Sequence, residues 1–169
     1  MYFDGKRLAR RRSLKFSKQS DYLAGDFYGD YVEQSYICKL LDSLSTNHPI
    51  EFMVSRCENL THHTTGKSYE KLLMQAYASI ANNASFVMID AIDPAGTLDK
   101  SFYMQSSRIF AEVKKYEKYL DPDARLLADV AVYYSFDSAV EMDSEKKSTE
   151  DISCPETYRT RLKNIVKTF

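Results

Sequence analysis

Tryptophan is absent from this chain, and glycine, proline and cysteine number only five, four and three among its 169 residues. So little glycine and proline excludes a collagen-like or low-complexity architecture. Without tryptophan, any amphipathic ring surface has to come from the 13 tyrosines. The cysteines, Cys38, Cys57 and Cys154, are odd in number and widely spaced, with no Cys-x-x-Cys pair. They read as reduced, buried thiols, and neither a structural metal nor a cofactor is expected. Charge of one sign is also missing: 23 Lys+Arg against 24 Asp+Glu leaves a formal net charge of −1. No chain-wide field attracts a nucleic acid or an anionic membrane surface. The longest apolar runs, such as residues 84–92, fall far short of the roughly 20 residues of a membrane helix, and Asp90 interrupts that one. Met1-Tyr2-Phe3-Asp4-Gly5 does not have the order of a secretory signal.

What is present is an ordinary globular balance, 44% hydrophobic and 28% charged, enough for one compact domain or one domain with a fragment of another. Residues 6–18 form a basic run that reads as a helix or solvated arm, with a binding patch as the other possibility. Residues 20–31 combine glycine, Asp and aromatics and read as a loop. Val32, Tyr36, Ile37, Leu40, Leu41 and Leu44 recur at helical spacing, and Pro49 ends that helix by steering the residue before it away from helical angles. Residues 50–55 are strand-like and residues 56–68 make a polar loop. A second amphipathic helix is expected over Tyr69 to Ile80, then a strand over Ser85 to Ile92 apolar enough to be covered on both faces. A third helix is expected from Asp99 to Leu120, a strand over Val130 to Tyr134, and a last helix from near Pro155. Strand and helix in strict alternation predict an α/β fold with right-handed crossovers and a parallel sheet.

In parallel α/β sheets the chemistry gathers at the carboxyl ends of the strands. No phosphate loop, dinucleotide fingerprint, nucleophile elbow or His-Glu-x-x-His helix is present, which leaves carboxylates near the strand ends. Glu51 interrupts an apolar strand, where a carboxylate is costly unless paired or facing a cavity. Proton donation is one reading of it; pairing with a neighbour such as Arg56, or pointing to water from an edge strand, is the other. Asp90 and Asp93 flank the end of the next strand, where Asp also serves to cap a turn before Pro and Gly. His62 and His63 lie side by side in the long loop, where solvated histidines are the ordinary case.

Two stretches resemble the retaining α-L-fucosidases of glycoside hydrolase family 29 and related glycosidases built on the same barrel. Pro49-Ile50-Glu51 followed by Ser68-Tyr69-Glu70-Lys71-Leu72-Leu73 is similar to that family's Pro-aromatic-Glu strand and the helix after it. Ser85 to Leu98, SFVMIDAIDPAGTL, resembles the segment that closes the last barrel strand. With the Gly25-Asp26-Phe27 loop, the resemblance covers about residues 20–120. Tyr2-Phe3-Asp4-Gly5 looks like the Trp-Phe-Asp-Gly strand end that carries the family's nucleophile. The resemblance implies a catalytic pair, Asp4 as nucleophile and Glu51 as acid/base, about 5 Å apart as retaining hydrolysis requires. It also implies a carbohydrate substrate, with Arg56, His62, Asp90 and Tyr28 as substrate-binding residues. No tryptophan is present to stack on a sugar face, and Tyr22, Phe27, Tyr28 and Tyr31 are the rings available in its place. Ile50 stands where the family has an aromatic residue.

A complete (β/α)8 barrel takes about 250 residues. The resemblance therefore implies a partial barrel, its C-terminal half, over residues 1–122. Residues 123–169 are expected to begin a truncated flavodoxin-like βα segment, because Asp129-Val130-Ala131-Val132-Tyr133-Tyr134-Ser135 resembles the first strand of the trimerisation domain in β-galactosidase-type enzymes. The expectation is a glycosidase fragment, inactive by itself. The alternative is a non-catalytic α/β interaction module or a decayed glycosidase, and unpaired barrel edges predict a homo-oligomer in either case.

Overall fold

The computed structural model describes residues 2–4, 17–26, 29–59, 64–92, 94–133 and 156–168. The fold is α/β. Its strands are β1 (Tyr2–Asp4), β2 (Ala24–Asp26), β3 (Glu51–Ser55) and β4 (Ser85–Ile89). Its α-helices are α1 (Tyr31–Leu44), α2 (Tyr69–Ala81), α3 (Lys100–Lys114) and α4 (Glu156–Thr168), with one 3-10 turn at Glu117–Tyr119. All strand pairs are parallel, and the four strands lie side by side in chain order.

Three of the helices begin where a short polar side chain takes over the unsatisfied N–H groups of the first turn. Asp30 accepts from Val32 and Glu33, Ser68 from Lys71, and Asp99 from Ser101 and Phe102. Each cap follows the loop that leaves a strand, so each helix starts on the carboxyl side of the sheet. α2 ends at Asn82, after which Asn83 turns the chain with φ of 53°. Asn tolerates that left-handed conformation better than most residues, and the chain enters β4 directly.

The core lies between one face of the sheet and the helices. Phe52 and Val54 from β3 are fully buried against Ile37, Leu41, Leu72 and Ala76 from α1 and α2. On β4, Phe86 and Met88 pack on the same cluster, Phe86 reaching the Phe110 ring of α3 at 6.0 Å between centroids. Because side chains alternate along a strand, Glu51, Met53, Val87 and Ile89 stand on the opposite face, where all four are half-buried. Neighbouring helices also touch each other. Gln34 of α1, almost fully buried, donates through Nε2 to the Gln75 carbonyl at 2.6 Å and to Ser79 Oγ at 2.9 Å on α2. Arg108 of α3 sits 4.5 Å over the Tyr69 ring of α2. These contacts put α1, α2 and α3 side by side on a single face, as consecutive right-handed crossovers between strands in chain order require. α4 packs on α1, with Leu162 buried and Lys163 Nζ donating to Asp30 Oδ2 at 2.6 Å.

Several expectations differ from this structure: the strand from Ser85 stops at Ile89, the helix after Asp99 ends at Lys114 before a 3-10 turn, and two further segments change type. Residues 20–31 contain β2, a three-residue strand whose Gly25 has no side chain to announce an apolar alternation; pairing on both sides makes it a strand. Residues 130–133 form no strand: Val130, Val132 and Tyr133 are 49%, 42% and 86% exposed. Their alternation satisfies strand propensity, but among the described residues no neighbouring backbone takes their hydrogen bonds, and propensity without a pairing partner does not make a strand. Tyr134 and the rest of 134–155 lie outside the described residues, as does most of the basic run at 6–18. The last helix starts at Glu156, next to the expected Pro155.

Candidate functional site

The carboxyl ends of β3 and β4 are joined by backbone and side chain together. The Arg56 N–H donates to the Ile89 carbonyl at 2.9 Å, so the chain leaving β3 is held against the end of β4. Beyond it the loop is pinched shut by an antiparallel bridge between Cys57 and Gly66 and by the Lys67 N–H donating to the Arg56 carbonyl at 2.7 Å. Lys67 is buried, and its Nζ donates to the Ser55 carbonyl at 2.7 Å. The Ser55 hydroxyl in turn accepts from the Cys57 N–H at 3.1 Å.

Arg56 is the centre of this end of the sheet. Its side chain is 10% exposed and pairs through Nε with Asp90 Oδ1 and through Nη1 with Asp99 Oδ2, the latter at 3.1 Å. The guanidinium also lies 5.3 Å from the centre of the Phe102 ring. Asp90 is equally buried, its Oδ1 accepting from the Ala91 N–H at 2.7 Å while Oδ2 is buried without a hydrogen-bond donor. A buried guanidinium is tolerable only with such partners, and its planar fork suits two carboxylates at once. Asp99 is held below the ordinary carboxylate range by the Ser101 hydroxyl, then by the N–H groups of Phe102 and Ser101, with Arg56 adding to them against a smaller cost of burial. Arg56 thus ties Asp90 to Asp99, while Lys67 is held beside it by the Ser55 carbonyl.

The candidate residues read from the sequence divide clearly. Arg56 and Asp90 are brought into direct contact at the carboxyl ends. Glu51 is the first residue of β3, at the amino end, opposite Ala24 and Ser85. Five residues of strand, about 16 Å, separate it from Arg56, so the two do not pair. Asp4 ends β1 opposite Asp26, which lies opposite Met53. That places the Asp4 backbone two strands across and two residues along from Glu51, about 12 Å between Cα atoms. The backbone thus sets Asp4 toward the carboxyl end of the sheet and Glu51 at the other. Tyr28, Phe27, His62, His63 and Asp93 lie outside the described residues. Tyr22 and Tyr31 are exposed beside β2 and α1.

Asp99 and Lys67 were not singled out by sequence reasoning as part of a site. Asp99 was legible only as a helix start; that the same carboxylate also reaches Arg56 required the crossover from β4 to α3. Among the described residues no group of three or more His, Cys, Asp and Glu side chains is arranged to hold a metal ion. None of the described helices is long and apolar enough to cross a membrane. No family model, no curated protein and no solved structure matches this chain.

Proposed function

We propose that this chain is part of a glycoside hydrolase barrel of α-L-fucosidase-like type, with its carbohydrate site at the carboxyl ends of β1 to β4. The observation that carries the reading is the winding: four parallel strands in chain order, with the described helices that follow β2, β3 and β4 on one face. Such a winding favours a (β/α) barrel over a doubly wound sheet, whose strand order reverses part-way and whose helices cover both faces. The resemblance at Pro49-Ile50-Glu51 and at Ser85 to Leu98 supplies the glycosidase part.

Isolated, the 169-residue chain is expected not to hydrolyse. The reading makes the chain part of a barrel, and a (β/α)8 barrel assembles its active site from the loops after all eight strands. The test is release of p-nitrophenol from an aryl α-L-fucoside by the wild type and by Glu51→Gln, with thermal shift on adding L-fucose or D-galactose. Stabilisation by sugar without turnover supports the reading. Turnover by the wild type that Glu51→Gln abolishes would overturn the placement of the site at the carboxyl ends, because Glu51 stands at the amino end of β3. A flat response to every sugar removes the carbohydrate assignment.

A second reading is a non-catalytic α/β interaction module. It is favoured by the apolar stretch after α3, where Leu126, Leu127 and Tyr133 are 60%, 95% and 86% exposed. Large apolar residues displayed together mark an interaction surface more often than an isolated one does.

A further inference from the structure

Between β4 and α3 the chain makes an excursion over residues 91–98, exposed at Ile92, at 94–96 and at Thr97 and Leu98. Gly96 takes φ of 76°, a conformation that side chains with a Cβ rarely adopt. The excursion has a feature that its own sequence does not explain. The residue that opens it, Asp90, and the residue that closes it, Asp99, are both gripped by the same guanidinium, and that guanidinium comes from a different strand.

We propose that Arg56 is a positioning residue, a two-pronged clasp that ties Asp90, just past β4, to Asp99, at the start of α3, and so pins both ends of the connection between them beside the carboxyl end of β3. Bringing the ends of a loop together costs conformational entropy. Here Nε holds the entering carboxylate and Nη1 the leaving one, while the Phe102 ring lies 5.3 Å from Cζ and walls the guanidinium in on the side of α3. The backbone bond from the Arg56 N–H to the Ile89 carbonyl sets the distance between the clasp and β4 before the side chain acts. A lysine cannot replace it. One ammonium is a point charge without the rigid fork needed to bridge two separated carboxylates.

Ile92 and Leu98, 71% and 48% exposed, lie within two residues of the pinned ends. The value of this to the protein rests on the proposal that ligand binds at the carboxyl ends, since the loop borders that region. The clasp itself does not depend on which ligand binds.

Hydrogen exchange read by mass spectrometry tests the clasp directly on the whole chain. In Arg56→Met and Arg56→Lys, the amides that donate to the two clasped carboxylates, Ala91 to Asp90 and Ser101 and Phe102 to Asp99, are expected to exchange at least tenfold faster, with those of β3 and α2 unchanged. Exchange at these amides unaltered in Arg56→Met, or full rescue by Arg56→Lys, would overturn the proposal. So would a rise of equal size in β3 and at these amides, which marks general destabilisation. Should Arg56→Met fail to fold, Asp99→Asn keeps a capping oxygen and removes the charge that Arg56 Nη1 pairs with. The Ser101 and Phe102 amides are expected to exchange faster than in the wild type with the Ala91 amide unchanged, and no change at Ser101 and Phe102 would be equally damaging. Adding L-fucose to the wild type separates the two proposals. Faster exchange at these amides in the variants together with no sugar binding by the wild type leaves the clasp standing and removes the carbohydrate reading. Sugar binding with no faster exchange does the reverse.

Discussion

Phe52 and Met53 are neighbours in β3 on opposite faces of the sheet, and truncating each in turn measures how differently those faces are covered. Phe52 is 0% exposed and packs within the cluster formed with α1 and α2. Phe52→Ala removes a whole ring from a site bounded by helix backbones that cannot close in on the space. The lost transfer energy and the residual cavity together amount to about 3–5 kcal/mol for such a change. For a chain of this length that corresponds to a fall in Tm of about 6–20 °C. Met53 is half-buried on the face that carries no described helix. Met53→Ala gives up fewer contacts and opens its space to solvent, so about 1 kcal/mol is expected, below the 2–5 kcal/mol typical of a fully buried methionine. Urea unfolding followed by far-UV circular dichroism gives both values, with the slope compared between variants to confirm a common unfolded reference. A Met53→Ala cost equal to that of Phe52→Ala would refute the reasoning. It would mean that the helix-free face is packed as tightly as the other in solution.

Acid should weaken the fold through two helix caps. Asp30 is held below its ordinary pKa of 3.8: burial works against this, but hydrogen bonds from Lys163 and from the Glu33 and Val32 N–H groups outweigh it. Asp99 is lowered likewise by Ser101, Phe102 and Arg56. A carboxylate whose folded pKa lies below its unfolded one adds stability that is complete above the unfolded value and vanishes as pH falls through the folded one. Tm should therefore drop between about pH 5 and pH 3, by less in an Asp30→Asn, Asp99→Asn double variant than in the wild type. A steeper drop in the double variant would contradict the sign. Cys38 is fully buried, and burial pushes its thiol up to about 12. Alkylation by iodoacetamide at pH 8, mapped by peptide mass, should leave Cys38 unmodified in the native chain and label it fully in urea, because the thiolate is the reacting form. Native labelling of Cys38 at the denatured rate would disprove its burial.

Much of the framework was readable from local pattern. The apolar spacing of Tyr69, Leu72, Leu73, Ala76 and Ile80 leaves little choice but a helix, and Asp99 marks the start of another, since both signals act within a few residues of themselves. β4 was overextended, because Asp90 to Ile92 continue its apolar run; the strand stops at Ile89, where Asp90 turns to Arg56. β2 escaped notice for the opposite reason, being too short for any period to register. The candidate site was legible only in part. Arg56 and Asp90 were picked out at strand ends, but which groups they would touch was not, and Glu51 stood out as a carboxylate in an apolar run although it lies at the amino end of its strand.

The amino-acid sequence by itself determined the amphipathic helices, the helix start at Asp99, the two longer strands and the α/β class that follows from them. Tertiary structure alone decided which distant groups meet. Arg56 finds Asp90 and Asp99, Gln34 finds Gln75 and Ser79, and Lys163 finds Asp30. Periodicity and capping are short-range properties, written in each segment's own residues. Contacts between segments depend on strand register and on which face the crossovers place their helices, and those are settled only when every apolar face is buried at once.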